Sequence, residues 1–134
     1  MISVNSPAAK WVLTAALLIA PLVANAHHSA TAVFDVDRTI TKKGVLTKIN
    51  WVNPHILLYM DVTGEDGKVT PWVFEGRAPV TFRRAGVTGN DFKQGLGQEV
   101  TIDGRPAKDG SSFGLLRQIT FADGKHINDG GREQ

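Results

Sequence analysis

The 134-residue sequence predicts a mainly β protein, a small barrel of five or six strands with one short helix. Three observations carry this. Apolar and polar residues alternate over most of the chain, glycine-containing turns interrupt the alternation, and one stretch alone has a clear helical pattern.

The elements follow in order. Ala30 to Phe34 reads as a short added N-terminal strand. From Val45 onward, Val45, Thr47, Ile49 and Trp51 share one face of a strand, and Leu46, Lys48 and Asn50 the other. Asn53-Pro54 stops or bends that strand, because proline has no amide hydrogen for a ladder. His55 opens the next run, in which Ile56, Leu58, Met60 and Val62 alternate with Leu57, Tyr59 and Asp61. Gly64-Glu65-Asp66-Gly67 is a hairpin signal. The return strand is Val69 to Glu75, with Trp72 and Phe74, and Pro71 requires an edge position or a bulge near its start. Pro79 suits a first helical turn and Gly86 the end of a helix, so Val80 to Ala85 is the helix. Thr88 to Asp91 starts a second short turn. Strands Glu99 to Ala107 and Phe113 to Phe121 follow, joined by Lys108-Asp109-Gly110-Ser111, and Ala122 to Lys125 is a further turn. Gly95, Gly97, Gly110 and Gly114 read as turn glycines.

Three strands, a helix and two strands is the order of the five-stranded OB barrel, whose helix joins strands three and four. An open β-sandwich or another small barrel is the alternative.

A cleavable export signal precedes the barrel. Lys10 is followed by a mostly apolar run, Trp11 to Ala24, and Ala24-Asn25-Ala26 supplies the small-x-small pattern of a signal-peptidase site. A retained anchor needs about 20 apolar residues; this run is shorter and contains Pro21, so cleavage after Ala26 is expected. The organisation is then residues 1–26 signal peptide, 27–127 OB-like barrel and 128–134 polar tail. Location is periplasmic or secreted, with no stable membrane anchor after cleavage.

Removing the first 26 of 134 residues leaves 108, enough for one core. Of the 15 basic residues only Lys10 is lost, against 13 acidic residues retained, so the mature chain is nearly neutral. That excludes the basic footprint of a nucleic-acid partner. The chain has no cysteine. Disulfides, a lipoprotein anchor and covalent c-type haem attachment are therefore excluded.

The mature chain resembles a family of small exported bacterial proteins classed as a domain of unknown function. The residues that carry the resemblance are His27-His28-Ser29, Phe34-Asp35, Gly44 to His55 with its Trp-x-Asn-Pro-His block, Trp72-Val73-Phe74-Glu75, Arg83 to Gly86 and Gly104 to Gly110. The resemblance implies a periplasmic location and an OB-like barrel, and no activity. The family usually has an aromatic after His-His-Ser, where this chain has Ala30. If that aromatic packs the N-terminal arm down, the arm is more mobile here.

Cleavage after Ala26 would make His27 the amino terminus. A terminal histidine offers a metal its α-amine and its ring, and copper(II) favours such nitrogens. The expected metal set is His27 and His55, with His28 in reserve, for copper(II) or, second, zinc. An α-amine titrates near ~7.8 and an imidazole near ~6.5, so binding should release protons and weaken as pH falls. The competing readings are a bare solvated terminus for His27-His28 and, for His55, a ring bonded to a backbone carbonyl. His126 falls in a late turn and reads as surface.

Trp51, Tyr59, Trp72 and Glu75 are candidates for a ligand groove, with Asp61 as a further carboxylate. Against this, Trp51 lies in register with Val45 and Ile49 and reads as core. No nucleophile elbow, zinc-protease helix or phosphate loop is present in the sequence. The expectation is a periplasmic, non-enzymatic binding module coordinating copper(II) or another divalent metal. A metal-free module for a small ligand or periplasmic protein is the alternative, and a copper-dependent redox enzyme comes last.

Overall fold

The computed structural model describes residues 29–130. Residues 1–28, with the expected signal peptide, His27 and His28, lie outside the described residues. The element order is α1 (Ala30–Val33), β1 (Ile40–Asn50), β2 (Leu57–Thr63), β3 (Val69–Glu75), α2 (Pro79–Arg84), α3 (Gly89–Lys93), β4 (Glu99–Pro106), β5 (Phe113–Thr120) and β6 (His126–Asn128). The strands hydrogen-bond in the order β3-β2-β1-β4-β5-β6, and a parallel pairing of β3 with β5 closes β1 to β5 into a barrel. This is the OB arrangement, with the helices between β3 and β4 and β6 added outside.

The eleven residues of β1 serve two partners. Ile40 to Val45 pair with β4, and Val45 to Asn50 pair with β2. Gly44 sits at the handover against the Asp61 carbonyl, where a side chain would not fit. A bulge at Thr47 then inserts one extra residue, so that Leu46 pairs with Met60 and Lys48 with Tyr59. One extra residue exchanges the faces of a strand. Leu46 is therefore fully buried while Val45 is 41% exposed, which corrects the shared face expected for Val45, Ile49 and Trp51. Beyond the bulge the odd positions do turn inward, and Ile49 and Trp51 pack against the core.

Strand β3 matches its expected bounds. Pro71 lies in its first half, ahead of the Val73 to Glu75 stretch that β5 covers, so its missing amide leaves no ladder bond broken on that side. Helix α2 begins at Pro79, and Gly86 after it has φ 74°, a left-handed conformation that favours glycine. Helix α3 is held by Asp91, whose carboxylate accepts from the Thr88 amide and hydroxyl, each at 2.8 Å.

The core fills the barrel with Leu46, Ile56, Leu58, Met60, Phe74, Ile102, Leu116 and Ile119, and α2 and α3 add Phe82 and Phe92 at one end. Phe74 needs room. A Cβ at Gly104 or Gly114 would approach its ring edge to 2.8 or 2.7 Å. Gly114 is thus a packing glycine within β5, and Gly95, beneath Phe121 and Leu46, is another. Gly97 and Gly110 do occupy turns, with φ 73° and 78°.

Ala30 to Val33 is one helical turn, not a strand, and Phe34 alone makes a bridge, to Ala107. The turn is pinned despite the absence of an aromatic at position 30. Lys108 donates from its amide to the Val33 carbonyl (2.9 Å) and from Nζ to the Thr31 carbonyl (2.6 Å). Phe34 is 2% exposed, its ring 5.2 Å from that of Phe113. At the other end, His126 opens β6 instead of lying in a turn, and Asp129 donates its amide to the Arg117 carbonyl. Among the described residues no helix is long and apolar enough to cross a membrane.

Candidate functional site

A cleft of about 800 Å³ lies where the β1–β2 loop, the end of β3, the outer side of β5 and the N-terminal turn meet. Pro54, His55, Glu75, Arg77, Arg117 and Asp129 supply much of its rim, and Ala30, Val33, Phe34, Phe113 and Leu115 its apolar wall.

His55 follows a cis Asn53-Pro54 peptide. Two backbone bonds lace its loop to the end of β3: the Ile56 amide donates to the Arg77 carbonyl (3.2 Å) and the Gly76 amide to the Ile56 carbonyl (2.9 Å). Such close approach requires glycine, because a Cβ at Gly76 would come within 2.7 Å of Ile56 Cγ1. The Gly76 carbonyl lies 3.2 Å from His55 Nδ1. A carbonyl can only accept, so Nδ1 carries a proton, and the neutral ring keeps its lone pair on Nε2. Nε2 lies 3.7 Å from Glu75 Oε1. The expected carbonyl bond of His55 is present, and it leaves the other nitrogen open to the cleft. A backbone carbonyl orienting the far nitrogen is the usual support of a metal-binding histidine.

The geometry suits a shared ion. Two bonds of about 2.0–2.2 Å, usual for imidazole nitrogen and carboxylate oxygen on zinc, can span such a separation. Among the described residues no group of three or more histidine, aspartate or glutamate side chains could hold a metal. His55 and Glu75 are two ligands at most.

The aromatic candidates do not join them. Trp51 packs inward, its ring 5.7 Å from Phe82 and 5.6 Å from Phe92. Trp72 stacks on Phe74 at 5.8 Å, with Lys42 Nζ 4.5 Å from its centroid. Tyr59 is on the outer face, its hydroxyl accepting from Asn50 Nδ2 (3.2 Å) beneath Lys48. Asp61 pairs with Val45 and Pro71 away from the cleft. Of the four groove candidates, Glu75 alone lines the cleft with His55.

The sequence reading missed Arg77, Arg117 and Asp129. Arg117 is the extra residue of a second bulge, since Asp103 pairs with Gln118 and Gly104 with Leu116. Its Nη1 bonds Asp129 Oδ2 at 2.9 Å, and Arg77 Nη2 stands 3.9 Å from the same oxygen. The signal for the bulge was in the chain: buried Leu116 and Ile119 are three residues apart, where an unbroken strand would space them by two.

A second cleft, about 790 Å³, lies under α3 and contains Asp91, Asp123, Lys125 and His126. Its carboxylates are engaged in turns. The Lys125 amide and then its side chain hold the Asp123 carboxyl below its usual range. Ser111, by hydroxyl and then amide, does the same to Asp109 in the β4–β5 turn.

A family model described as a family of unknown function, DUF6152, matches residues 16–118. No curated protein and no solved structure matches the chain.

Proposed function

The chain belongs to the DUF6152 family, and we propose that this member is a periplasmic, non-enzymatic binding module that coordinates copper(II), with zinc as the second choice. The ligands would be His55, its neighbour Glu75, and the α-amine and ring of His27 freed by signal cleavage, with His28 in reserve. One observation carries the reading. His55 is anchored through Nδ1 on the Gly76 carbonyl, and its Nε2 is left beside the Glu75 carboxylate in an open cleft.

The path of the chain supports it. Ala30, Val33 and Phe34 form a wall of the same cleft, held there by Lys108 and Phe113. Residue 27 is three positions upstream of that wall, a reach on the order of 10 Å when extended. A two-ligand pair is too little for a tight site, and a chelating terminus would complete it. The position is also a favourable one in OB folds, which bind ligands on the face of strands two and three and through the adjoining loops. That last support is an analogy of fold.

The test is a copper(II) titration of protein beginning at His27, followed by electron paramagnetic resonance and a competing chelator. We expect one ion per chain, nitrogen couplings from more than one imidazole, and loss of one coupling in His55→Ala. Affinity in that variant should fall about 10- to 100-fold, the scale on which metal sites respond to changes near their ligands. Binding that is weak and unchanged in His55→Ala would leave a bare terminus and favour the metal-free module, for which the apolar wall of the cleft speaks.

A further inference from the structure

We propose that the end of the cleft formed by Arg77 and Arg117 is an anion subsite for a small organic monocarboxylate, whose apolar body lies on Val33, Phe113 and Leu115. The proposal goes beyond the metal reading and does not depend on it.

Charge is the first argument. Two guanidinium groups share one carboxylate, Asp129, and the other carboxylate of the rim, Glu75, lies with His55, so the arginine end itself carries one unmatched positive charge. Arg117 holds Asp129 by a hydrogen bond at 2.9 Å, but Arg77 at 3.9 Å is beyond hydrogen-bond distance. Among the described residues the Arg77 guanidinium makes no hydrogen bond. A guanidinium presents five N–H donors in a plane that matches a carboxylate, so most of the donor capacity of this pair is unspent.

Geometry is the second. The β5 bulge sets Arg117 apart from its β4 partners, and bulges of this kind re-aim a side chain beside a binding site. The Asp129 carboxylate, on the residue that follows β6 and on the same rim, then braces it. Arg77 follows directly after Gly76, in the segment laced to the β1–β2 loop, so both arginines stand on fixed backbone.

The third argument is the neighbouring wall. Val33, Phe113 and Leu115, each at least partly exposed, line the same cleft. An anion with an apolar body would satisfy both surfaces, whereas a bare inorganic anion would leave that wall wet. A single unmatched charge selects a monoanion.

Phenylacetate is a suitable probe, and phenylacetamide its neutral counterpart of similar shape. The exported protein, in buffer stripped of metals by chelating resin, would be titrated with each and followed by amide chemical shifts. Phenylacetate should move the amides of residues 34, 77 and 115–117 and bind at least about tenfold more tightly than the amide. Arg77→Gln and Arg117→Gln should each weaken phenylacetate about tenfold with phenylacetamide unchanged. Arg117→Gln releases Asp129 and could loosen β6; Arg77→Gln, which breaks no hydrogen bond, keeps the test decisive. Equal affinity for the two probes, shifts confined to other regions, or unchanged binding in Arg77→Gln would overturn the subsite. Because metal is absent throughout, that failure leaves the copper titration untouched, and a failed copper titration leaves this one standing.

Discussion

The two clefts of this barrel are nearly equal in volume, and each has a histidine with carboxylates nearby, yet they differ in what their polar groups are already doing. Under α3, Asp91 is committed to the Thr88 amide and hydroxyl, and Asp123 to the Lys125 amide and ammonium. Those carboxylates build turns. In the cleft beside β3, one ring nitrogen of His55 is tied to a backbone carbonyl and the other stands open 3.7 Å from Glu75, while Arg77 stands without a hydrogen bond among the described residues. Size does not distinguish the two clefts. Uncommitted donors and acceptors, held on fixed backbone, do.

The sharpest way to break that comparison is to detach the wall of the β3 cleft. Phe34→Ala removes a ring that is 2% exposed and packed on Phe113, and should cost about 3 kcal/mol of stability. Thermal unfolding reads that loss, and copper affinity should fall with it because the chain no longer enters at the cleft. Next in size is a single residue added ahead of His27. It abolishes the chelate of amine and ring, and copper affinity should drop on the order of 100-fold, or about 2.7 kcal/mol, with no change in melting temperature. Unchanged affinity would rule out the terminal chelate.

Acidification is a graded version of the same test. Amine and imidazole bind metal only when deprotonated, so affinity should fall as pH is lowered from about 8 to about 5, with protons released on binding. Titrations at several pH values in two buffers of different ionisation enthalpy would count those protons. The smallest effect is expected at the other cleft. His126→Ala should leave copper affinity within about twofold of the parent, well under 1 kcal/mol. A drop comparable to that of His55→Ala would erase the distinction drawn between the two clefts.

Much of the fold was legible. Asp66-Gly67 announced the β2–β3 turn, Pro79 and Gly86 bracketed α2, and the single helical stretch in the slot between the third and fourth strands implied the barrel order. What escaped were the two places where a strand carries one residue too many. Leu46 and Ile49, like Leu116 and Ile119, all face inward at a spacing of three, and a strict period of two assigns one member of each pair to the wrong face. The N-terminal turn escaped for a different reason. Residues 30–33 have no alternation of their own, and their conformation is set by Phe34 seeking Phe113 and by carbonyls seeking Lys108.

The site was legible only in part. His55 and Glu75 could be named as candidates, but twenty residues separate them, and nothing in that spacing shows that their side chains meet. Glu75 was grouped with Trp51 and Trp72, which turn into the barrel while it turns out. Arg77, Arg117 and Asp129 gave no signal as single residues, because an arginine on a strand is ordinarily a solvated one.

The sequence by itself determined the class of the protein: one β barrel, a helical segment between its third and fourth strands, 15 basic residues nearly balanced by 13 acidic ones, and no cysteine for a disulfide or covalent haem. These follow from local patterns and composition, which act over a few residues or over the whole chain regardless of path. The tertiary structure alone decided which groups share a cleft. Closure of β3 onto β5 brings residues 75–77 against 115–117, and lacing at Gly76 sets His55 beside Glu75. Contacts of that range depend on register and closure, and register is a property of strand pairs, absent from any strand read alone.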